Sequence, residues 1–199
     1  MKKVLVILTI LILITSAVFA ADSVKIRTVV ENENPSFILK AGLSPDAFDD
    51  VVSADDSAGT LDWETVEKSI KEENIVVYFQ IVQKGIARRD GKEFALSIET
   101  SEMVLGLNED GSALAPDTKV YKTTKGKISD INPNNDENSR IGVTLSETSA
   151  KDSISLLAEY KGKVDDGTPI ATFTVTWAKD INAPDGIYYA SVILRVSPQ

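Results

Sequence analysis

Pro169-Ile170-Ala171-Thr172-Phe173-Thr174-Val175-Thr176-Trp177 and, after the turn Ala183-Pro184-Asp185-Gly186, Ile187-Tyr188-Tyr189-Ala190-Ser191-Val192-Ile193-Leu194-Arg195-Val196 share one rhythm. The first run sets Ile170, Thr172, Thr174 and Thr176 against Ala171, Phe173, Val175 and Trp177. The second sets Tyr188, Ala190, Val192, Leu194 and Val196 against Tyr189, Ser191, Ile193 and Arg195. A period of two sends successive side chains to opposite faces, so both runs predict strands with one face buried. Pro-Asp-Gly between them supplies the backbone freedom a reversal needs.

The same period recurs upstream. Residues 23–30 alternate Val24, Ile26 and Thr28 with Lys25, Arg27 and Val29, and residues 93–105 alternate Phe94, Leu96 and Ile98 with Ala95, Ser97 and Glu99. Residues 141–146 carry Ile141, Val143 and Leu145; residues 153–161 carry Ile154, Leu156, Ala158 and Tyr160. A shorter run occupies residues 36–40. The apolar series Ile75-Val76-Val77-Tyr78-Phe79-Gln80-Ile81-Val82 predicts a central strand buried on both faces. The Asp90-Gly91 turn predicts a hairpin joining it to residues 93–105. Val120 and Tyr121 open a weaker strand, and residues 131–138 read as a polar loop. Residues 44–60 break this pattern with acidic and turn residues, and residues 61–73 depart from it differently. Trp63, Val66 and Ile70 recur at helical spacing behind Thr60 or Asp62 as a cap, which predicts one short helix. Eight or nine short strands separated by turns predict an all-β, immunoglobulin-like antiparallel β-sandwich with an acidic loop insertion at residues 44–60.

The N-terminus predicts export. Lys2 and Lys3 precede an uncharged apolar run over residues 4–18, and Val18-Phe19-Ala20 offers the small residues a signal peptidase accepts. Residues 1–20 are therefore expected to be a cleaved signal and residues 21–199 a single extracytoplasmic domain, in the periplasm, on the cell surface or secreted. The run is short for a span of ~20 residues, and a retained anchor is the alternative. Removal of the two lysines leaves 19 basic and 30 acidic residues, a net charge of −11. That charge disfavours nucleic acid and anionic lipid as partners.

Histidine and cysteine are both absent. This removes the commonest general base, the Ser-His and Cys-His nucleophile pairs and the usual zinc ligands. Carboxylate pairs remain for glycoside hydrolysis, but thirty acids make some pair inevitable and nothing singles one out. A non-enzymatic protein is expected.

The final thirty residues, with Ala171-Thr172-Phe173-Thr174-Val175-Thr176-Trp177, Pro184-Asp185-Gly186-Ile187-Tyr188 and the long last run through Val196, resemble the C-terminal hairpin of bacterial secreted sandwiches of the spore coat protein U and fimbrial-subunit type. The resemblance covers less than a fifth of the mature chain. It implies an immunoglobulin-like sandwich in a coat or surface appendage, with self-association or protein partners and assembly by strand exchange. The family often carries a cysteine pair, which this chain lacks.

Three sets of residues are candidates for binding. Trp63, Trp177, Tyr188 and Tyr189 form a sugar-stacking platform if their face is outward, and core if it is inward. Asp46, Asp49, Asp50, Asp55 and Asp56 offer oxygens to calcium, or else solvate an exposed loop; no EF-hand spacing is present and no other cofactor is implied. Residues 23–30 either complete a neighbour's sheet or form the first strand of their own domain. The function expected is a structural or adhesive surface protein, with a carbohydrate-binding module and an accessory protein docking a partner by an edge strand as the alternatives.

Overall fold

Alternation on this scale closes into two facing sheets in the computed structural model, which describes residues 23–31, 37–49, 53–55, 60–66, 68–88, 91–134, 140–150 and 152–199. In chain order the strands are β1 (Ser23–Glu31), β2 (Phe37–Ser44), β3 (Ala47–Asp49), β4 (Ser53–Asp55), β5 (Thr60–Val66), β6 (Ile75–Gln83), β7 (Ala87–Arg88), β8 (Glu93–Thr100), β9 (Glu102–Leu107), β10 (Lys122–Lys125), β11 (Lys127–Pro133), β12 (Ile141–Ala150), β13 (Ser153–Tyr160), β14 (Lys163–Val164), β15 (Pro169–Trp177) and β16 (Ile187–Pro198). A nine-stranded sheet runs β12-β13-β8-β16-β1-β5-β4, with β9 on β16 and β10 on β9. A five-stranded sheet runs β11-β15-β6-β2-β3, and β7 pairs with β14 as a small ribbon. The chain is an all-β sandwich.

The inward faces are those the alternation marks as apolar. Phe79 and Phe173 stack at 5.2 Å on neighbouring strands, and Phe37 packs against Phe94 and Tyr160 across the two sheets. Ile26, Leu39, Leu96 and Val192 are sealed from solvent between them. Each such aliphatic side chain stabilises the fold by roughly 1.5–3 kcal/mol relative to exposure. The long β16 is the spine. Its first residues pair with β9 and the rest with β8, while β1 lies parallel along its other side from Ser23 opposite Ile187 to Glu31 opposite Arg195. Residues 23–30 thus complete the sheet of their own chain.

Several expectations give way. The hairpin between residues 74–83 and 93–105 does not form: β6 lies in the five-stranded sheet and β8 in the nine-stranded one. The C-terminal pair behaves alike, with β15 in the five-stranded sheet and β16 in the nine-stranded one. Each pair has one apolar face to bury, and the segments 84–92 and 178–186 are long enough to arch between sheets ~10 Å apart. β6 is central in its sheet but is not buried on both faces, because Val76, Tyr78 and Gln80 are only half-buried on the outward side. The short helix at residues 61–73 is absent. Residues 60–66 also alternate and are rich in β-branched residues, and β1 offers them a ladder that an isolated helical turn cannot match. Ile70 follows in a turn and is buried. The polar loop at residues 131–138 contributes Ile131, Asn132 and Pro133 to β11, and its residues 135–138 lie outside those described.

One polar hub holds the crossing of the sheets in place. β8 and β9 are a single run interrupted at Ser101, whose amide donates to the Ser191 carbonyl at 2.9 Å and whose hydroxyl accepts from the Ser191 amide at 2.8 Å. The Trp177 indole donates to the Ser101 carbonyl at 2.9 Å from the opposite sheet. Gly126 lies flat against that indole, and a Cβ there would stand 2.7 Å from the ring. The buried polar groups of this crossing are therefore paired with one another.

Candidate binding face

The four aromatic residues picked out in the sequence do not converge. Trp177 is fully buried on the inward side of β15, and Tyr188 is fully buried on the inward side of β16. Tyr188 donates its hydroxyl to the Pro184 carbonyl at 2.7 Å, and Tyr121 meets its ring edge to face at 6.3 Å. Both residues are core, because the strand period that carries them points them between the sheets. Tyr189 lies on the opposite, outer side of the nine-stranded sheet, with the Lys25 ammonium 5.9 Å from its ring centre. Trp63 sits in β5 opposite Arg27, and its side chain is outside the described residues. A shared stacking platform built from Trp177, Tyr188 and Tyr189 is excluded by these positions.

Of the acidic set, only Asp46 has its side chain among the described residues. Asp46 is exposed in the turn between β2 and β3. Asp49 ends β3 in the five-stranded sheet and Asp55 ends β4 in the nine-stranded sheet, while Asp50 and Asp56 are outside the described residues. Among the described residues no three acidic side chains gather around a common point.

A different surface stands out: the outer face of the five-stranded sheet. Strand register lines up Asn132, Thr172, Gln80 and Lys40 across β11, β15, β6 and β2, a row roughly 14 Å long at the usual strand spacing. The next row holds Ser129, Thr174, Tyr78 and Gly42, and beyond it Thr176 faces Val76. Tyr78, Gln80, Asn132, Thr172 and Thr176 make no side-chain hydrogen bond to any described residue, while Thr174 between them is buried. Their positions are fixed by the ladders beneath them, so their donors and acceptors are presented in a set pattern without being used up inside the fold.

The margins give this face relief. A Cβ on Gly42 would lie 1.9 Å from the Ala47 carbonyl oxygen, so the glycine lets β3 fold over the sheet beside Tyr78. On the far side, β11 bulges between Ser129 and Asn132, with Asp130 at a positive φ of 51°. A shallow depression of about 440 Å³ opens next to the bulge, lined by Asn132, Pro133, Asn134, Pro169, Ala171 and Thr172. Its electrostatics are unusual for so acidic a chain. The four strands β2, β6, β11 and β15 contain one carboxylate, Asp130, in 33 residues, and the edge strand β3 adds Asp49.

No sequence signal marked this face as a site. Thr172, Thr174 and Thr176 were visible as one side of an alternating run, but only the register brings Tyr78, Gln80 and Asn132 beside them. No protein-family model matches the chain, and no curated protein matches it.

Proposed function

We propose that this protein is an exported, non-enzymatic sandwich that acts as a structural or adhesive surface module, and that its contact surface is the outer face of the five-stranded sheet. The carrying observation is the chemistry of that face: uncommitted hydroxyl, amide and phenol groups on rigid strands, almost free of carboxylate in a chain with thirty acids. The resemblance of the C-terminal strands to coat and fimbrial-type subunits points the same way. The Tyr188 hydrogen bond to the carbonyl four residues upstream supports an immunoglobulin-like form of the sandwich, in which such a tyrosine pins a strand corner. Absence of imidazole and thiol from the chain favours binding over bond-making.

The test is capture of envelope components by the purified mature protein, compared with a Thr172→Glu, Thr176→Glu variant that puts two charges on the face. Loss of capture in the variant, with unfolding unchanged, supports the reading. Equal capture by both proteins removes this face from the function.

A second reading, docking by an edge strand, is favoured by β12. It ends the nine-stranded sheet, runs for ten residues and has one ionisable residue, Glu147, without the lysine or proline that blunt natural edges. Leu145→Pro, at an exposed position whose amide points away from β13, would abolish edge pairing while leaving the opposite face untouched.

A further inference from the structure

We propose that the ligand of the five-stranded sheet's outer face is a neutral glycan, stacked on Tyr78 and hydrogen-bonded along the row Gln80, Thr172 and Asn132. This rests on the reading of that face as the contact surface and names what occupies it.

The side chains fit a sugar better than they fit a protein. A protein interface buries a cluster of large apolar or arginine side chains at its centre. Here the centre is threonine and glutamine around a single half-buried aromatic ring, with no arginine on the four strands. A pyranose presents one apolar C–H face and a girdle of hydroxyls. The Tyr78 ring meets the first, and the amides of Gln80 and Asn132, which both donate and accept, meet the second. Hydroxyls of the half-buried Thr172 and Thr176 extend the same capacity. The row runs straight across four strands, and β3 folded over Gly42 forms a side wall beside the ring. At the other end, the depression beside Asn132 and Thr172 gives room for a terminal or branching unit.

Charge selects the class of glycan. The mature chain carries a net −11, so a polyanion such as a uronic-acid polymer is repelled before it reaches the face. A neutral polymer meets no such barrier, and of the charged side chains on these strands, Lys40, Lys127 and Asp130, only Lys40 lies in the row.

The experiment is affinity electrophoresis of the mature protein through gels containing hydroxyethylcellulose, arabinoxylan, galactomannan or dextran, with polygalacturonate as the anionic control. Retardation by at least one neutral polymer and none by polygalacturonate is expected. Tyr78→Ala should weaken the neutral interaction roughly tenfold, and Tyr78→Phe should keep most of it, because the ring supplies the stacking. Glu99→Gln, on the other sheet's outer face, should bind as the parent does. If Tyr78→Ala does not fold, Thr172→Glu serves in its place. Migration unaffected by every neutral polymer overturns the proposal, as does retardation that survives both Tyr78→Ala and Thr172→Glu. Envelope capture that is lost in the Thr172→Glu, Thr176→Glu variant while every polymer fails would sink the glycan and leave the contact face standing.

Discussion

The two outer faces of the sandwich are made from the same alternating strands and carry opposite chemistry. On the nine-stranded sheet charge is abundant and partly paired: Arg195 reaches Glu99 at 2.5 Å, Lys122 reaches Glu102 at 3.5 Å and Lys125 reaches Asp152 at 2.8 Å, while Glu93 and Glu159 stand opposite each other on β8 and β13. Strands of that sheet hold nine acidic residues in 67. The five-stranded face, by contrast, has polar groups that the fold does not use. Both surfaces are hydrophilic, so hydropathy cannot separate them. Abundant exposed charge suits a surface that only has to stay in water, whereas ordered and unspent hydrogen-bonding groups suit a surface that meets something.

Damage between the faces should be felt by both, and most strongly. Trp177→Ala removes the largest buried side chain and leaves the Ser101 carbonyl with one donor fewer, and it should cost about 3–5 kcal/mol in denaturant unfolding. A loss below 1 kcal/mol would mean that the two sheets do not share the hub described here. Thr28 offers a smaller change of opposite sign. Its side chain is buried on β1 and its hydroxyl has no hydrogen-bond partner. Thr28→Val should therefore stabilise the protein by about 1 kcal/mol. Destabilisation instead would indicate that the hydroxyl is paired in solution, and that the inward side of β1 is seated differently between β16 and β5.

The strands themselves were legible because period-two alternation reports which side of a ribbon is buried, and residues 23–30, 153–161 and 169–196 show it without interruption. Pairing was not legible. Asp90-Gly91 and Pro184-Asp185-Gly186 look like hairpin turns, yet the strands beside them part into different sheets, since a turn residue permits a reversal without saying whether the chain returns alongside or across. The strand at residues 60–66 is hidden within the helical spacing of residues 61–73, because Trp63, Val66 and Ile70 fit that spacing by coincidence and the partner that makes a strand, β1, is more than thirty residues away. The candidate face was hidden for the same reason. Tyr78 and Thr174 are nearly a hundred residues apart, and only register makes them neighbours. Trp177 is core, one of the two outcomes its alternation allows; a large aromatic near a strand end suits either face, and Tyr189 belongs to the other sheet.

Charge on the nine-stranded face should contribute little stability for all its ion pairs. Glu99→Gln breaks the contact with Arg195 between two side chains that are each well exposed, and should cost about 0.5 kcal/mol or less, falling further in high salt. A cost above 2 kcal/mol would show that this face is held together by charge after all, and the contrast with the neutral face would then be structural.

The finest test is pH. Lys125 donates to Asp152 and holds its carboxyl below the ordinary carboxylate range, while Asp152 raises the Lys125 ammonium above its own. A carboxyl whose folded pKa is depressed contributes stability that is present above the unfolded value, near pH 4, and is lost as pH falls through the folded value. The lysine contributes stability that is full below its unfolded pKa and is lost as pH rises through the raised one. Both side chains are on the surface, so the effect is small and screened by salt. Asp152→Asn should accordingly flatten part of the acid limb of the stability curve and part of the alkaline limb, and change little near pH 7 beyond the loss of one exposed ion pair. Thr172→Asn on the neutral face should leave both limbs as they are. An acid limb unchanged by Asp152→Asn would show that the pair is solvated apart, and that the charges of the nine-stranded face are no more committed to one another than the polar groups across the molecule.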